Sequence, residues 1–133
     1  MKYCNYFDKI TVASSLSEEG KSNEAIKAYL DAIELSPEKT DKLEPLYALG
    51  LELKKDSPDE SITYFEQCSK IAKAYKNSFH YSYFYNAERE LGEIYMELKR
   101  FPKSLLHFKK AYKEIKKMDD DPDTEDYLED LIK

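Results

Sequence analysis

Glu24-Ala25-Ile26-Lys27-Ala28-Tyr29-Leu30-Asp31-Ala32 aligns with Glu60-Ser61-Ile62-Thr63-Tyr64-Phe65-Glu66-Gln67-Cys68, and both align with Lys103-Ser104-Leu105-Leu106-His107-Phe108-Lys109-Lys110-Ala111. Each copy reads small, aromatic four residues on, and small again three residues after that: Ala25/Tyr29/Ala32, Ser61/Phe65/Cys68 and Ser104/Phe108/Ala111. Steps of four and three return to one face of an α-helix. Small residues on that face let a second helix axis come close, and the ring fills the gap that opens one turn away. No such helix buries its apolar face alone, so a device repeated three times predicts units that stack and complete one another's core.

Outward from these stretches, the preceding segments agree as well. Val12-Ala13, Leu49-Gly50 and Leu91-Gly92 are each followed three residues on by Leu16, Leu53 and Tyr95. Apolar periodicity predicts helices at about 3–19, 23–35, 41–54, 58–75, 79–98 and 102–117, with a short seventh at about 124–132. The expected punctuation is Gly20 after the first helix, Ser36-Pro37 and Ser57-Pro58 as caps ahead of a proline, Asn77-Ser78 as a further cap, and Pro102 opening the sixth helix after a Lys99-Arg100-Phe101 turn. Short turns between helix pairs make neighbours antiparallel. The expected fold is all-α, an antiparallel helix-pair solenoid of about seven helices. It forms one domain over 1–133, with units at about 6–38, 43–76 and 79–117 and a capping helix at about 124–132.

Composition narrows the function classes. With 3 Gly and 5 Pro in 133 residues the chain is poor in tight turns, and its abundant Lys, Glu, Leu and Ala are good helix formers. Residues 119–133 hold eight acids against Lys133 alone, a balance of −7; since the whole chain is −6, residues 1–118 stand at +1. A near-neutral body with an acidic end lacks the basic footprint of a duplex nucleic-acid binder or a polybasic membrane-surface protein. No stretch approaches the roughly 18–20 apolar residues of a membrane span, and Asp8 and Lys9 interrupt the start of the chain before any secretory apolar segment develops. Cys4 and Cys68 lie far apart with no ligand-spaced partner, which reads as free thiols and, with the missing signals, as a cytoplasmic location.

Catalysis is not expected. His80 and His107 stand in no nucleophile or metal arrangement, and His107, beside the repeat aromatic Phe108, reads as a surface residue. Gly20, Gly50 and Gly92 are isolated, so no phosphate-cradling loop exists. Asp119-Asp120-Asp121-Pro122-Asp123 lacks the glycine turn and closing glutamate of a calcium loop and reads as a solvated acidic linker. No catalytic residue, metal or cofactor is therefore expected.

The small-aromatic-small pattern, the Leu-Gly pairs, the Leu91-Gly92-Glu93-Ile94-Tyr95 run and the closing Pro37 resemble the tetratricopeptide repeat over about residues 6–117. Departures are plain. Lys9, Leu46 and Glu88 stand where the family's first helices carry tryptophan, and only the first unit keeps the closing proline. The spacing grows from 36 residues (Ala25 to Ser61) to 43 (Ser61 to Ser104), the latter similar to the extended repeats of kinesin-light-chain-like and bacterial pheromone-receptor proteins.

The resemblance implies that the first helix of each pair lines a concave groove. The groove residues expected on that basis are Phe7 and Ile10, then Tyr47, Leu51 and Lys55, then Phe79, Tyr83, Asn86, Arg89 and Glu93. The family's clamp for a chaperone's C-terminal carboxylate is missing, because Ile10, Ser14, Ala48 and Glu90 occupy positions where it needs lysine, asparagine or arginine. The expected function is a protein–protein interaction module that takes a peptide or helix in the groove. The alternatives are homo-oligomerisation through an open end, or the sensor part of a signalling system.

Overall fold

The computed structural model describes residues 2–76 and 78–118, and the expected capping helix and acidic linker lie outside them. Among the described residues six α-helices follow one another: α1 (Lys2–Glu18), α2 (Ser22–Leu35), α3 (Leu43–Leu53), α4 (Pro58–Lys73), α5 (Ser82–Glu97) and α6 (Phe101–Met118). Single 3-10 turns, Lys39–Lys42 and Phe79–Tyr81, lead into α3 and α5. Each helix packs on the next, and α3 also touches α5, so contacts run between neighbours along the stack. The helices pair as α1/α2, α3/α4 and α5/α6, the expected all-α helix-pair solenoid.

The core is a chain of local clusters. Ala13, Ala25, Ala28 and Tyr29 meet Leu49 and Leu53 of the next pair. Leu43, Leu46, Phe65 and Cys68 meet Phe84, Ala87, Leu91 and Ile94. Phe108 closes the third pair against Tyr85, Met96 and Tyr112. The small-aromatic device takes atomic form here. A Cβ built on Gly50 would lie 2.8 Å from the Phe65 ring, and one on Gly92 would lie 2.9 Å from Phe108. Glycine is needed at both places because the ring occupies the space a side chain would fill. Beside each contact a buried serine hydroxyl donates to the same glycine's carbonyl: Ser61 to Gly50 O at 2.6 Å and Ser104 to Gly92 O at 2.8 Å. Ala25 opposite Ala13 is the all-apolar version in the first pair.

Helix ends depart from the expected punctuation in several places. Gly20, at φ 79°, closes α1 with Lys21 N–H donating to Leu16 O and Gly20 N–H to Ser17 O. Lys99, at φ 60°, closes α5 through the same two bonds, from Arg100 to Tyr95 O and from Lys99 to Met96 O. No glycine marks that turn in the sequence. Ser36-Pro37 does not start a helix. The Ser36 hydroxyl donates back to Ala32 O and finishes α2, while Glu38 and Asp41 form a capping box around the 3-10 turn. Ser57 precedes Pro58 as expected, but its side chain makes no cap bond. Helix α6 begins at Phe101, one residue before Pro102, and the expected fifth helix starts with three residues of 3-10 turn, where Ser78 accepts from His80 N–H. Proline 45 sits buried in the first turn of α3, where its missing N–H is harmless.

The longer second spacing is visible as helix length. Helix α5 has 16 residues against 11 in α3, and α4 has 16 against 14 in α2.

Candidate functional site

The first helices of the three pairs, α1, α3 and α5, communicate directly across one layer. Near their N-terminal ends the Tyr6 hydroxyl donates to Asp41 O at 2.5 Å, and Tyr6 meets Phe7 edge-on at 5.1 Å between centroids. Tyr3 stacks on Phe7 at 6.0 Å. Tyr47 meets Tyr83 at 5.9 Å and the core ring of Phe65 at 5.4 Å, both edge-on. Burial, then Glu44, raises the hydroxyl pKa of Tyr6 and of Tyr83, so these phenols stay neutral donors at any ordinary pH. The Tyr47 hydroxyl is raised by burial and Glu90, with Arg89 pulling the other way through a hydrogen bond.

Toward the C-terminal ends of the same helices the layer turns ionic. Lys54 Nζ donates to Glu90 Oε2 at 2.7 Å and to Glu93 Oε2 at 3.0 Å. Burial alone would lower the Lys54 pKa, but these two bonds outweigh it and hold the amine charged. Ser17 donates to Glu52 at 2.9 Å, tying α1 to α3. Arg89 links the two halves. Its guanidinium lies 5.8 Å from the Tyr85 ring centre and 3.9 Å from Glu90, and its buried Nε has no hydrogen-bond partner among the described residues.

Of the expected groove residues, the structure brings together Tyr47, Tyr83, Arg89 and Glu93. Phe7 is 55% exposed at the aromatic end and Leu51 is 45% exposed in the middle; Ile10 and Asn86 are half-buried. Two do not join. Phe79 stands 82% exposed on the 3-10 turn against His80, at 4.0 Å, leaving Tyr83 to pair with Tyr47. Lys55 is exposed, and the cation that bridges α3 to α5 is Lys54. The reason is helical phase: at 3.6 residues per turn, seven residues from Tyr47 return within about 20° of it, whereas eight overshoot by about 80°.

A second polar cluster escaped the sequence reading. Glu88, 4% exposed at the family's tryptophan position, accepts from the Ser69 hydroxyl at 2.6 Å and pairs with His107 Nδ1 at 2.5 Å. His107 is therefore not a surface residue; its ring lies flat on Tyr95, 5.4 Å between centroids. Burial alone would raise the Glu88 pKa, but the bonds from His107 and Ser69 reverse this and hold the carboxyl below its ordinary value of 4.5. Because the hydroxyl bonds to the carboxylate and not to the imidazole, the trio does not activate a nucleophile. It ties α4 and α6 to the α5 helix between them. Among the described residues no group of three His, Cys, Asp or Glu could hold a metal ion, and no helix is long and apolar enough to cross a membrane.

In comparisons with known proteins, the tetratricopeptide repeat family profile matches residues 10–39, which span the second half of α1, all of α2 and the start of the following turn. A search of curated proteins gives no match.

Proposed function

We propose that this chain is a tetratricopeptide-like helical-repeat protein and that its layer of α1, α3 and α5 is a concave groove that captures a peptide or helix of another protein. Tetratricopeptide repeats are in general protein–protein interaction modules. What supports it is the polarity of the layer. Tyr3, Phe7, Tyr47 and Tyr83 cluster at one edge and Arg89, Lys54, Glu90 and Glu93 at the other, with exposed Leu51 between. Rings at the first edge offer burial and edge-on contacts to an apolar side chain. The guanidinium at the other offers a fork for a carboxylate or a backbone carbonyl. A ligand that lies along the groove with apolar residues at one end and an acceptor at the other satisfies both.

The test is recovery of partners from the native cell by wild type and by Phe7→Ala, Leu51→Asp and Arg89→Ala, each first checked to unfold like wild type. Loss of the same partner in at least two variants supports the groove; undiminished recovery by all three means the groove is idle. A second reading, self-association through the first helix, rests on the exposure of Tyr3, Phe7 and Val12 on α1. Sedimentation as a monomer at all concentrations removes it.

A further inference from the structure

On the layer opposite the groove, the outer helices α4 and α6 leave a cleft of about 590 Å³ over α5. Five lysines line it: Lys70, Lys73 and Lys76 from the α4 side, Lys110 and Lys113 from α6. Three acids share the lining, and each is already engaged. Glu88 holds Ser69 and His107, Glu66 accepts from Tyr95, and Glu114 accepts from Tyr81. None of the five lysines forms an ion pair among the described residues. Lys70 also lines a neighbouring cleft of about 510 Å³ between α2 and α4, with Lys39, Lys42 and the apolar Ile33, Ile71 and Tyr75, and no acid. Seven cations thus concentrate on one outer face of a body whose net charge over residues 1–118 is only +1.

We propose that this outer face binds an acidic peptide segment of a partner protein, its carboxylates between the lysines of α4 and α6 and an apolar side chain in the neighbouring cleft. Charge complementarity carries the assignment. Lysines three residues apart along α4 and α6 repeat every ~4.5 Å, a pitch that successive acids on a peptide can match. A nucleic acid fits less well. Backbone recognition calls for a long basic footprint, and this one is two clefts wide, broken by Glu66 and Glu114 and by apolar walls. The site is independent of the groove on the other layer, so failure of either leaves the other standing.

The experiment is fluorescence anisotropy on the full chain. The probe is a fluorescein-labelled peptide of alternating glutamate and leucine, with the glutamine-for-glutamate peptide and a labelled thymidine oligonucleotide as comparisons. Expected are binding of the acidic peptide that weakens as salt is raised, a loss of about tenfold or more in Lys73→Glu/Lys110→Glu, and no change in Lys27→Glu/Lys109→Glu, exposed lysines outside both clefts. The chain's own acids at 119–133 carry the same chemistry as the probe. A variant with Asp119, Asp120, Asp121 and Asp123 changed to Asn separates that source. Tighter binding in it, still abolished by Lys73→Glu/Lys110→Glu, means the cleft takes acidic segments and the chain's own segment competes. The proposal is overturned if neither wild type nor that variant binds the acidic peptide. It is equally overturned if the glutamine peptide or the oligonucleotide binds as well, or if Lys73→Glu/Lys110→Glu binds undiminished.

Discussion

Replacing Gly50 by alanine sets two effects of known sign against each other. Alanine is the better helix former, by about 1 kcal/mol in a helix interior, and Gly50 lies within α3. Its new methyl, however, would sit 2.8 Å from Cε1 and Cζ of Phe65 and 2.9 Å from Cε2, on the face of the ring. The ring has nowhere to go: Phe65 is fully buried and is braced edge-on by Tyr47 at 5.4 Å. Overpacking of a closed core costs about 1–3 kcal/mol, and a ring braced on its far side puts this site in the upper part of that range. Gly50→Ala should therefore lose about 1–2 kcal/mol net, a fall in Tm of about 3–8 °C for a chain of this size. Thermal and urea unfolding followed by far-UV circular dichroism measure it. In a Phe65→Leu background the opposing ring face is gone, and the same change should be neutral or stabilising. The two backgrounds should then differ by a coupling of about 1–3 kcal/mol. If Gly50→Ala matches or exceeds wild type in stability, or loses the same amount in both backgrounds, the close-approach account of the repeat is wrong.

Two positive-φ turns give opposite signs: Gly20→Ala should destabilise by about 1 kcal/mol despite open space around it, and Lys99→Gly should stabilise by up to about 1 kcal/mol, both read by chemical denaturation. Glu88 has a lowered folded-state pKa, so its contribution is present above the ordinary value of 4.5 and fades as pH falls through the lowered one. Glu88→Gln should flatten that acid limb of the stability–pH curve, and Glu88→Ala should cost about 3 kcal/mol at neutral pH by stranding Ser69 and His107. Burial pushes the Cys68 thiol up to about 12, whereas Cys4 is exposed. A thiol reagent at neutral pH should therefore modify one cysteine per folded chain and two after denaturation, by mass spectrometry.

The repeat was legible because its cause is local: small and aromatic residues at helical spacing name both the faces that meet and the helices that carry them. The Leu-Gly pairs announced the contacts of Gly50 with Phe65 and Gly92 with Phe108. What stayed hidden depends on pairing across helices. Nothing in the order of residues connects Glu88 to Ser69 and His107, each nineteen positions away, and a histidine next to a core phenylalanine is as readily outside as inside. The choice between Lys54 and Lys55 turned on helical phase relative to a partner whose register only the packed structure fixes. Ser36-Pro37 looked like a cap because the same dipeptide pattern opens α4 at Pro58, yet here the hydroxyl turned back to Ala32. The lysines of the outer clefts are scattered in the sequence, and their convergence comes from α2, α4 and α6 lying side by side.

Unequal helix lengths constrain how such a chain can grow or shrink. Arrays of uniform units tolerate duplication or loss of a unit, because every junction is the same. Here, excising α4 and α5 would set the outer helix α6 against α3, which is shorter than α5 by 16 minus 11, or five residues. At 1.5 Å per residue roughly 8 Å of α6 would then face no neighbour. Removing one hairpin would leave an apolar overhang, and inserting one would need a matching long partner. The drift in spacing thus locks the order and number of hairpins, and its three units are not interchangeable parts.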